Sequence, residues 1–239
     1  MGLGLHLVVL EVTGRCNLSC SYCYRGDAMA SDLNDPSLIL DQLTETKPYF
    51  INVSGGEPLL FKNLFVFAED LKKVCKKLLL TTNGTLVQQF PKDWFSIFDN
   101  VQISLDGNKD FHESIRGKDS FEKTIGAAKY LEGVVPVSFL CTVSSANHHQ
   151  IRSIARIARE LGAAPNIGRM CGFSLGNPAP LKDPSLLRNA LEEAANHGVL
   201  SDDPLNFWFD EQKKSTLRSN KIVGGCTAGI AGVAISPEL

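Results

Sequence analysis

Apolar residues recur along this chain in two alternating rhythms. Runs rich in β-branched and apolar residues read as strands: LHLVVLEVT (5–13), YFINVSGG (49–56), KKLLLTTNG (76–84), NVQISLDG (100–107), PVSFLCTVSS (136–145) and NIGRMCGF (166–173). Between them lie segments with helical spacing of apolar positions. DPSLILDQLTET (35–46) starts with the Asp-Pro pair that favours a helix N-terminus, and NLFVFAEDLKKVC (63–75) carries Lys72 and Lys73 near its end. DWFSIF (93–98) reads as a short helical piece. FEKTIGAAKYLEG (121–133) and HHQIRSIARIARELG (148–162) close on Gly133 and Gly162, and PSLLRNALEEAANHG (184–198) is a last helix.

Strict alternation of strand and helix predicts an α/β fold with a parallel sheet and helical crossovers. The strands read as apolar on both sides, as a fully covered parallel sheet requires. Alternation alone leaves doubly wound and barrel arrangements open. The chain turns polar after Asp202 and then rich in small residues, which divides it into a core over 1–200 and an extension over 201–239. The loop after the first strand and the segments GGEP, TNG and SLDG each follow a strand directly. In parallel α/β folds those strand ends share one face, where ligands bind.

Of the 239 residues, 44% are hydrophobic, enough for a substantial core, and the net charge of −2 gives no pull toward nucleic acid or an anionic membrane. Leu5–Leu10 is too short an apolar stretch to span a bilayer or act as a signal core. The expectation is a cytoplasmic protein with neither a nucleic-acid nor a membrane partner. Seven cysteines, three clustered and four scattered, suit a reducing compartment better than a disulfide framework. Cys75 and Cys141 read as buried thiols, and Trp94 and Trp208 as packing residues.

The cluster is RCNLSCSYCYR, with Cys16, Cys20 and Cys23 in a Cys-x3-Cys-x2-Cys spacing. A structural zinc site needs a fourth ligand, and no histidine has a suitable local spacing. A redox Cys-x2-Cys pair leaves Cys16 without a role. Three soft thiolates suit a 4Fe–4S cluster with one iron left open for a substrate or cofactor. All three readings stand on the spacing alone, with the cluster favoured.

CNLSCSYC together with SGGEPLL resembles the signature of radical S-adenosylmethionine (SAM) enzymes. The resemblance implies a partial (β/α)6 TIM-like barrel. It implies that Cys16, Cys20 and Cys23 hold a 4Fe–4S cluster whose open iron is chelated by SAM. One electron from the cluster then cleaves SAM to methionine and a 5′-deoxyadenosyl radical that abstracts hydrogen from substrate. It further implies SAM contacts: the backbone of Gly55, Gly56 and Glu57 toward the methionine amino group, and Ser104 and Asp106 toward the ribose or carboxylate. Arg116 would face the SAM carboxylate, and Tyr22 and Met170 the adenine. Asn83 is either a ligand contact or a left-handed turn residue. His112 orders its loop, and His148 and His149 belong to a helix start. An electron donor such as flavodoxin or ferredoxin is the implied partner.

CTAGIAGVAISPEL, from Cys226, resembles the start of a SPASM extension, and the downstream cysteines of a complete one are not found before Leu239. An incomplete SPASM-like region is the expectation, with Cys171 as a residue that could approach Cys226. This branch points to a peptide or protein substrate or a tetrapyrrole-type precursor. The alternatives are a non-catalytic cluster- and SAM-binding module, a molybdopterin-precursor-type cyclase, and a zinc scaffold.

Overall fold

The computed structural model describes residues 6–23, 25 and 31–169, and beyond them residues 189, 192–194, 196–198, 200–201 and 232–237. Six strands follow one another in the order of the chain: β1 (Leu7–Glu11), β2 (Phe50–Ser54), β3 (Lys77–Thr82), β4 (Asn100–Ser104), β5 (Val137–Val143) and β6 (Ala164–Arg169). Each pairs in parallel with the next. Two short strands absent from the sequence expectation flank them. β7 (Leu200–Ser201) lies beside β6, and β8 (Gly232–Ile235) lies beside β1, both parallel. The order β7-β6-β5-β4-β3-β2-β1-β8 leaves the sheet open, as a partial barrel.

The helices are α1 (Pro36–Thr46), α2 (Leu64–Val74), α3 (Lys109–Arg116), α4 (Ser120–Leu131) and α5 (Ile151–Glu160). Local chemistry sets their starts. The Asp35 carboxylate accepts from Leu38 N at 3.0 Å ahead of Pro36, and the Asn108 side chain accepts from Phe111 N at 3.0 Å. Helix α3 falls where the sequence reading had a loop, so His112 and Arg116 are helical. His148 and His149 form a single 3-10 turn ahead of α5, as expected of a helix start. Among the described residues no helix is long and apolar enough to cross a membrane.

One face of the sheet holds the core. Leu10, Ile51, Leu78, Leu80, Ile103 and Phe139 are fully buried there. Leu43 of α1, Ala68 and Leu71 of α2, Ala127 and Leu131 of α4, and Ile154 of α5 belong to the same cluster. Each buried side chain of this size contributes about 1.5–3 kcal/mol by leaving water. The other face corrects the expectation of strands apolar on both sides. That face is mixed: Glu11, Asn52, Ser54, Thr81, Gln102, Ser104 and Thr142 alternate with the core residues and are half-buried, beside the half-buried apolar Val9, Phe50, Leu79 and Leu140. A sheet covered by helices on one side needs apolar residues on that side only.

Cys141 is buried, as expected, whereas Cys75 is only partly so. Trp94 packs edge-on against Phe65 at 5.1 Å while remaining 50% exposed, so it packs at the surface and not in the core. It borders an outer cavity of about 640 Å³ that Phe61 and Phe90 also line.

Candidate functional site

The chain leaving β1 stays beside the chain leaving β2. Val12 N donates to Ser54 O at 3.0 Å, Gly56 N to Thr13 O at 2.8 Å, and Glu57 N to Arg15 O at 2.7 Å. This approach is why two glycines sit here. A Cβ on Gly55 would meet Thr13 O at 2.4 Å, and one on Gly56 would meet Arg15 O at 2.3 Å. Gly55 also has φ +143°, which side-chain-bearing residues rarely adopt. The backbone that launches the cysteine loop fills the room a side chain would need at either glycine.

A second clamp grips the same root. Thr13 bridges Asp32 in antiparallel fashion, and Gly14 N donates to Ser31 O at 2.6 Å. The Arg15 guanidinium meets both Asp32 carboxylate oxygens, Nε at 2.9 Å and Nη2 at 2.8 Å, and Nη2 also reaches Leu60 O at 2.5 Å. The loop therefore leaves from a fixed point between the GGEP turn and the strand of chain at 31–33.

Cys16 is exposed, and Cys20 and Cys23 are half-exposed. Leu18 N points at Cys16 Sγ at 3.4 Å, and Cys23 N donates to Cys20 O at 3.0 Å. The three sulfurs are near enough to feel one another. Burial pushes the Cys20 thiol up to about 11, and Cys16 and Cys23 both add to the rise; partial desolvation of the thiol raises Cys16 too, although the residue as a whole is exposed, with Glu57 and Cys23 adding to it. Among the described residues no three His, Cys, Asp or Glu side chains are drawn around one point for a single metal ion. A 4Fe–4S cube makes no such demand, because each thiolate takes a different iron. Three accessible soft donors on one loop, with an amide directed at one sulfur, fit that group.

Behind the loop lies a closed triangle. Tyr22 OH donates to Asp106 Oδ1 at 2.7 Å, Arg116 Nε donates to Asp106 Oδ2 at 2.5 Å, and Arg116 Nη2 donates to Tyr22 OH at 2.6 Å. Asp106 is fully buried, and the Arg116 side chain is 10% exposed. Burial works against the Arg116 charge, but Asp106 and Tyr22 hold its pKa well above the ordinary arginine value. The resemblance implied separate SAM contacts for these three residues; the structure engages all three with one another. Ser21 N donates to Ile115 O at 3.1 Å, so helix α3 holds the loop's backbone as well. Buried His112 accepts from Asp106 N through Nδ1 at 3.3 Å. Burial, helped by the Arg116 charge, lowers its pKa to about 4.

The end of β3 supplies the other wall. Buried Glu57 points inward, accepting from Leu59 N at 3.1 Å, Thr82 Oγ1 at 2.7 Å and Asn83 N at 2.8 Å. Its burial pushes its pKa up, against the pull of these donors. Asn83 does not have the left-handed backbone that the sequence left open; among the residues nearby, Gly84 takes that role at φ +82°. The Asn83 side chain instead reaches the cysteine loop, with Nδ2 donating to Asn17 Oδ1 at 2.9 Å and lying 3.9 Å from Cys16 Sγ. Ser104 stands half-buried at the mouth end of β4. Met170, Cys171, Trp208 and Cys226 lie outside the described residues. Sequence reasoning did not single out Asp32, whose only signal was a carboxylate a short way beyond the cysteines.

A partial parallel α/β barrel with three cysteines of one loop at its carboxyl mouth is the architecture of the iron–sulfur class that the family comparison identifies. The chain belongs to the radical SAM superfamily, whose family model matches residues 10–151. Members of that superfamily are enzymes that use a 4Fe–4S cluster and SAM. A probable GTP 3′,8-cyclase of Methanothermobacter thermautotrophicus is 29% identical, over 66% of this chain and 55% of its own length. An AdoMet-dependent heme synthase of Methanosarcina barkeri is 29% identical over 66% of this chain and 48% of its own. The subtilosin biosynthesis protein AlbA of Bacillus subtilis is 30% identical over 95% of this chain and 52% of its own. The chain spans about half the length of these relatives. In fold, Streptococcus suis SuiB bound to S-adenosylmethionine superposes with a TM-score of 0.79, covering 98% of this chain and 59% of SuiB, at 15% identity.

Proposed function

We propose that this chain is the radical-generating part of a SAM-dependent maturase that acts on a peptide or protein, or on a tetrapyrrole-type precursor. The observation that carries the reading is the cysteine loop held on two sides, by the Gly55–Gly56 turn and by the Tyr22–Asp106–Arg116 triangle. A site that must deliver a short-lived reactive species needs its reacting groups held in place beforehand.

The reading puts a 4Fe–4S cluster on Cys16, Cys20 and Cys23, where it would supply the electron that cleaves SAM to methionine and a 5′-deoxyadenosyl radical. The chain's own residues do the rest. The Leu18 amide and Asn83 set the orientation of Cys16. Arg15 and Asp32 fix where the loop leaves the sheet, and Tyr22 fixes Cys23 through its neighbouring backbone. The half-buried mouth residues Ser54 and Ser104 offer hydroxyls toward SAM, as the resemblance implies for Ser104. Residues 1–200 form the core in this reading, and 201–239 open a SPASM-like region. The setting is a reducing cytoplasm, with a flavodoxin or ferredoxin as electron donor.

The test is anaerobic reconstitution followed by dithionite reduction with SAM. Formation of 5′-deoxyadenosine, followed by mass spectrometry, is the expected result. Its loss in Cys16→Ala, Cys20→Ala and Cys23→Ala variants assigns it to the loop. A reconstituted protein that binds SAM and never cleaves it would instead be a non-catalytic module.

A further inference from the structure

Three strands carry a connected row of neutral polar side chains on the face turned away from the helices. Thr81 Oγ1 of β3 lies 2.9 Å from Asn52 Oδ1 of β2 and 3.3 Å from Gln102 Oε1 of β4. Farther along, Ser138 Oγ of β5 donates to Asn100 Oδ1 of β4 at 2.7 Å. Along their own strands Asn52 and Gln102 lie two residues before Ser54 and Ser104 at the mouth, and the pairing sets Gln102 level with Thr81 and Asn52 level with Leu79, so the row runs obliquely across the sheet. The row therefore forms a floor beneath the place where the strand ends meet the cysteine loop.

The hydrogen-bond inventory of this floor is lopsided. Thr81 has one hydroxyl proton to share between two carbonyl oxygens. The Asn52 and Gln102 amide nitrogens, with two N–H groups each, bond to no described residue. The floor thus offers N–H donors to an acceptor above it. From β2 to β4 is two strand spacings, about 10 Å, which is the length of about three residues of extended chain.

Among the described side chains, the arginines beside the cysteine loop are already engaged. Arg15 is bound to Asp32, Arg25 to Glu11, and Arg116 to Asp106. The Glu11 side chain is 12% exposed and Asp106 is fully buried. Drawing Arg25 or Arg116 to an anionic substrate would take the charge partner from a carboxylate that has little access to water, which is costly. A chain of carbonyl oxygens asks for no such exchange.

We infer that Asn52, Thr81 and Gln102 form a substrate-reading floor that takes the carbonyl groups of an uncharged, extended peptide stretch, in preference to the carboxylates of a tetrapyrrole. This rests on the maturase reading above and selects between its two substrate classes. The residues act on specificity: the amide N–H groups fix the main chain of the substrate, and the hydrogen to be abstracted is carried above them.

The test uses the reconstituted protein with SAM and two fluorescent probes, a fluorescein-labelled Gly-Ala-Gly-Ala-Gly-Ala amide and coproporphyrin III, each followed by anisotropy. The wild type should bind the peptide more tightly than the porphyrin. Gln102→Glu keeps the size of the side chain but removes its donors, and should weaken peptide binding about tenfold. Gln102→Arg should weaken the peptide and strengthen the porphyrin. Circular dichroism of each variant checks that it is folded, and Asn52→Asp repeats the test at the other end of the row. Tighter binding of porphyrin by the wild type, or peptide binding indifferent to both acidic variants, overturns the inference. Dithionite-driven 5′-deoxyadenosine formation by the wild type is measured separately, so failure of the radical-enzyme reading is told apart from failure of this one.

Discussion

Arg116 on helix α3 and Asp106 at the end of β4 meet at 2.5 Å between Nε and Oδ2, and together they hold the hydroxyl of Tyr22, the residue before Cys23. The pair is buried, so its value lies less in Coulomb attraction than in where it fixes the loop. Removing one partner leaves a buried charge uncompensated, which typically costs about 3–5 kcal/mol.

The first prediction follows. Asp106→Asn should destabilise the protein by a few kcal/mol, on the order given for broken buried pairs, and should lower its iron content after reconstitution. Tyr22→Phe removes only the hydroxyl and should cost less stability while still lowering iron retention. Urea unfolding and iron per chain are the measurements. Full iron retention by both variants would mean that the triangle does not govern the loop.

The second prediction concerns the glycines. Gly56→Ala places a methyl 2.3 Å from the Arg15 carbonyl and 2.7 Å from the Gly14 carbonyl, both backbone atoms that cannot turn aside. The expected cost is about 1–3 kcal/mol or more, with a displaced cysteine loop and a weaker cluster absorbance. Gly126→Ala is the control. It lies within helix α4, and its new methyl meets only the flexible Gln88 side chain, at 3.3 Å. That change should stabilise the helix by up to about 1 kcal/mol. Opposite signs in thermal melts are the signature.

The third prediction is a pH dependence. His112 is kept neutral in the fold, with a pKa lowered to about 4 from 6.5 by burial first and the Arg116 charge second. A depressed folded pKa means that the unfolded chain binds a proton that the native protein refuses. Stability contributed by the neutral ring is therefore complete above the unfolded value and declines as pH falls from 6.5 toward 4. The full effect is about 3 kcal/mol. His112→Asn keeps an acceptor for Asp106 N but cannot titrate. Its urea midpoint should fall less than that of the wild type between about pH 7 and about pH 5.

The cysteine loop and the GGEP turn were legible because their chemistry is written in adjacent residues. The strand–helix alternation was legible for the same reason. Helix α3 was not, since its eight residues KDFHESIR contain only Phe111 and Ile115 as apolar positions, too few to trace a stripe. Its signals were the Asn108 cap and Gly117 beyond its end. The Tyr22–Asp106–Arg116 triangle was hidden for another reason. Tyr22 lies 84 positions from Asp106 and 94 from Arg116 along the chain, and each residue taken alone looked like a ligand contact. The polar alternation of Asn52 in FINVS and Gln102 in NVQIS was present in the sequence, but the bonds that join them through Thr81 cross three strands and leave no local signal. Strand β8 was missed because Gly232–Ile235 is short and small, and its partner β1 lies at the other end of the chain.

The last prediction separates two duties of the β2 and β3 ends. Glu57 receives three hydrogen bonds and is fully buried, and one of its donors is the backbone amide of Asn83. A carboxylate has acceptor capacity for all three. Glu57→Gln keeps one oxygen, but its NH2 group must then face a donor, either Asn83 N or the pair Thr82 and Leu59. The expected loss is about 1–3 kcal/mol for a buried group left unsatisfied. The damage should travel, because the Asn83 side chain is what reaches Asn17 and Cys16. Asn83→Ala keeps its own backbone amide on Glu57 and removes the reach to the loop, together with the two bonds that Asn83 Oδ1 accepts from Thr85 N at 2.9 Å and Thr85 Oγ1 at 2.6 Å. Glu57→Gln should therefore lower both the urea midpoint and the cluster absorbance. Asn83→Ala should lower the absorbance with a smaller change in the midpoint. Should both variants lose stability equally while the cluster spectrum stays unchanged, Glu57 and Asn83 would be braces of the sheet alone, and the link from β3 to the cysteine loop would be severed.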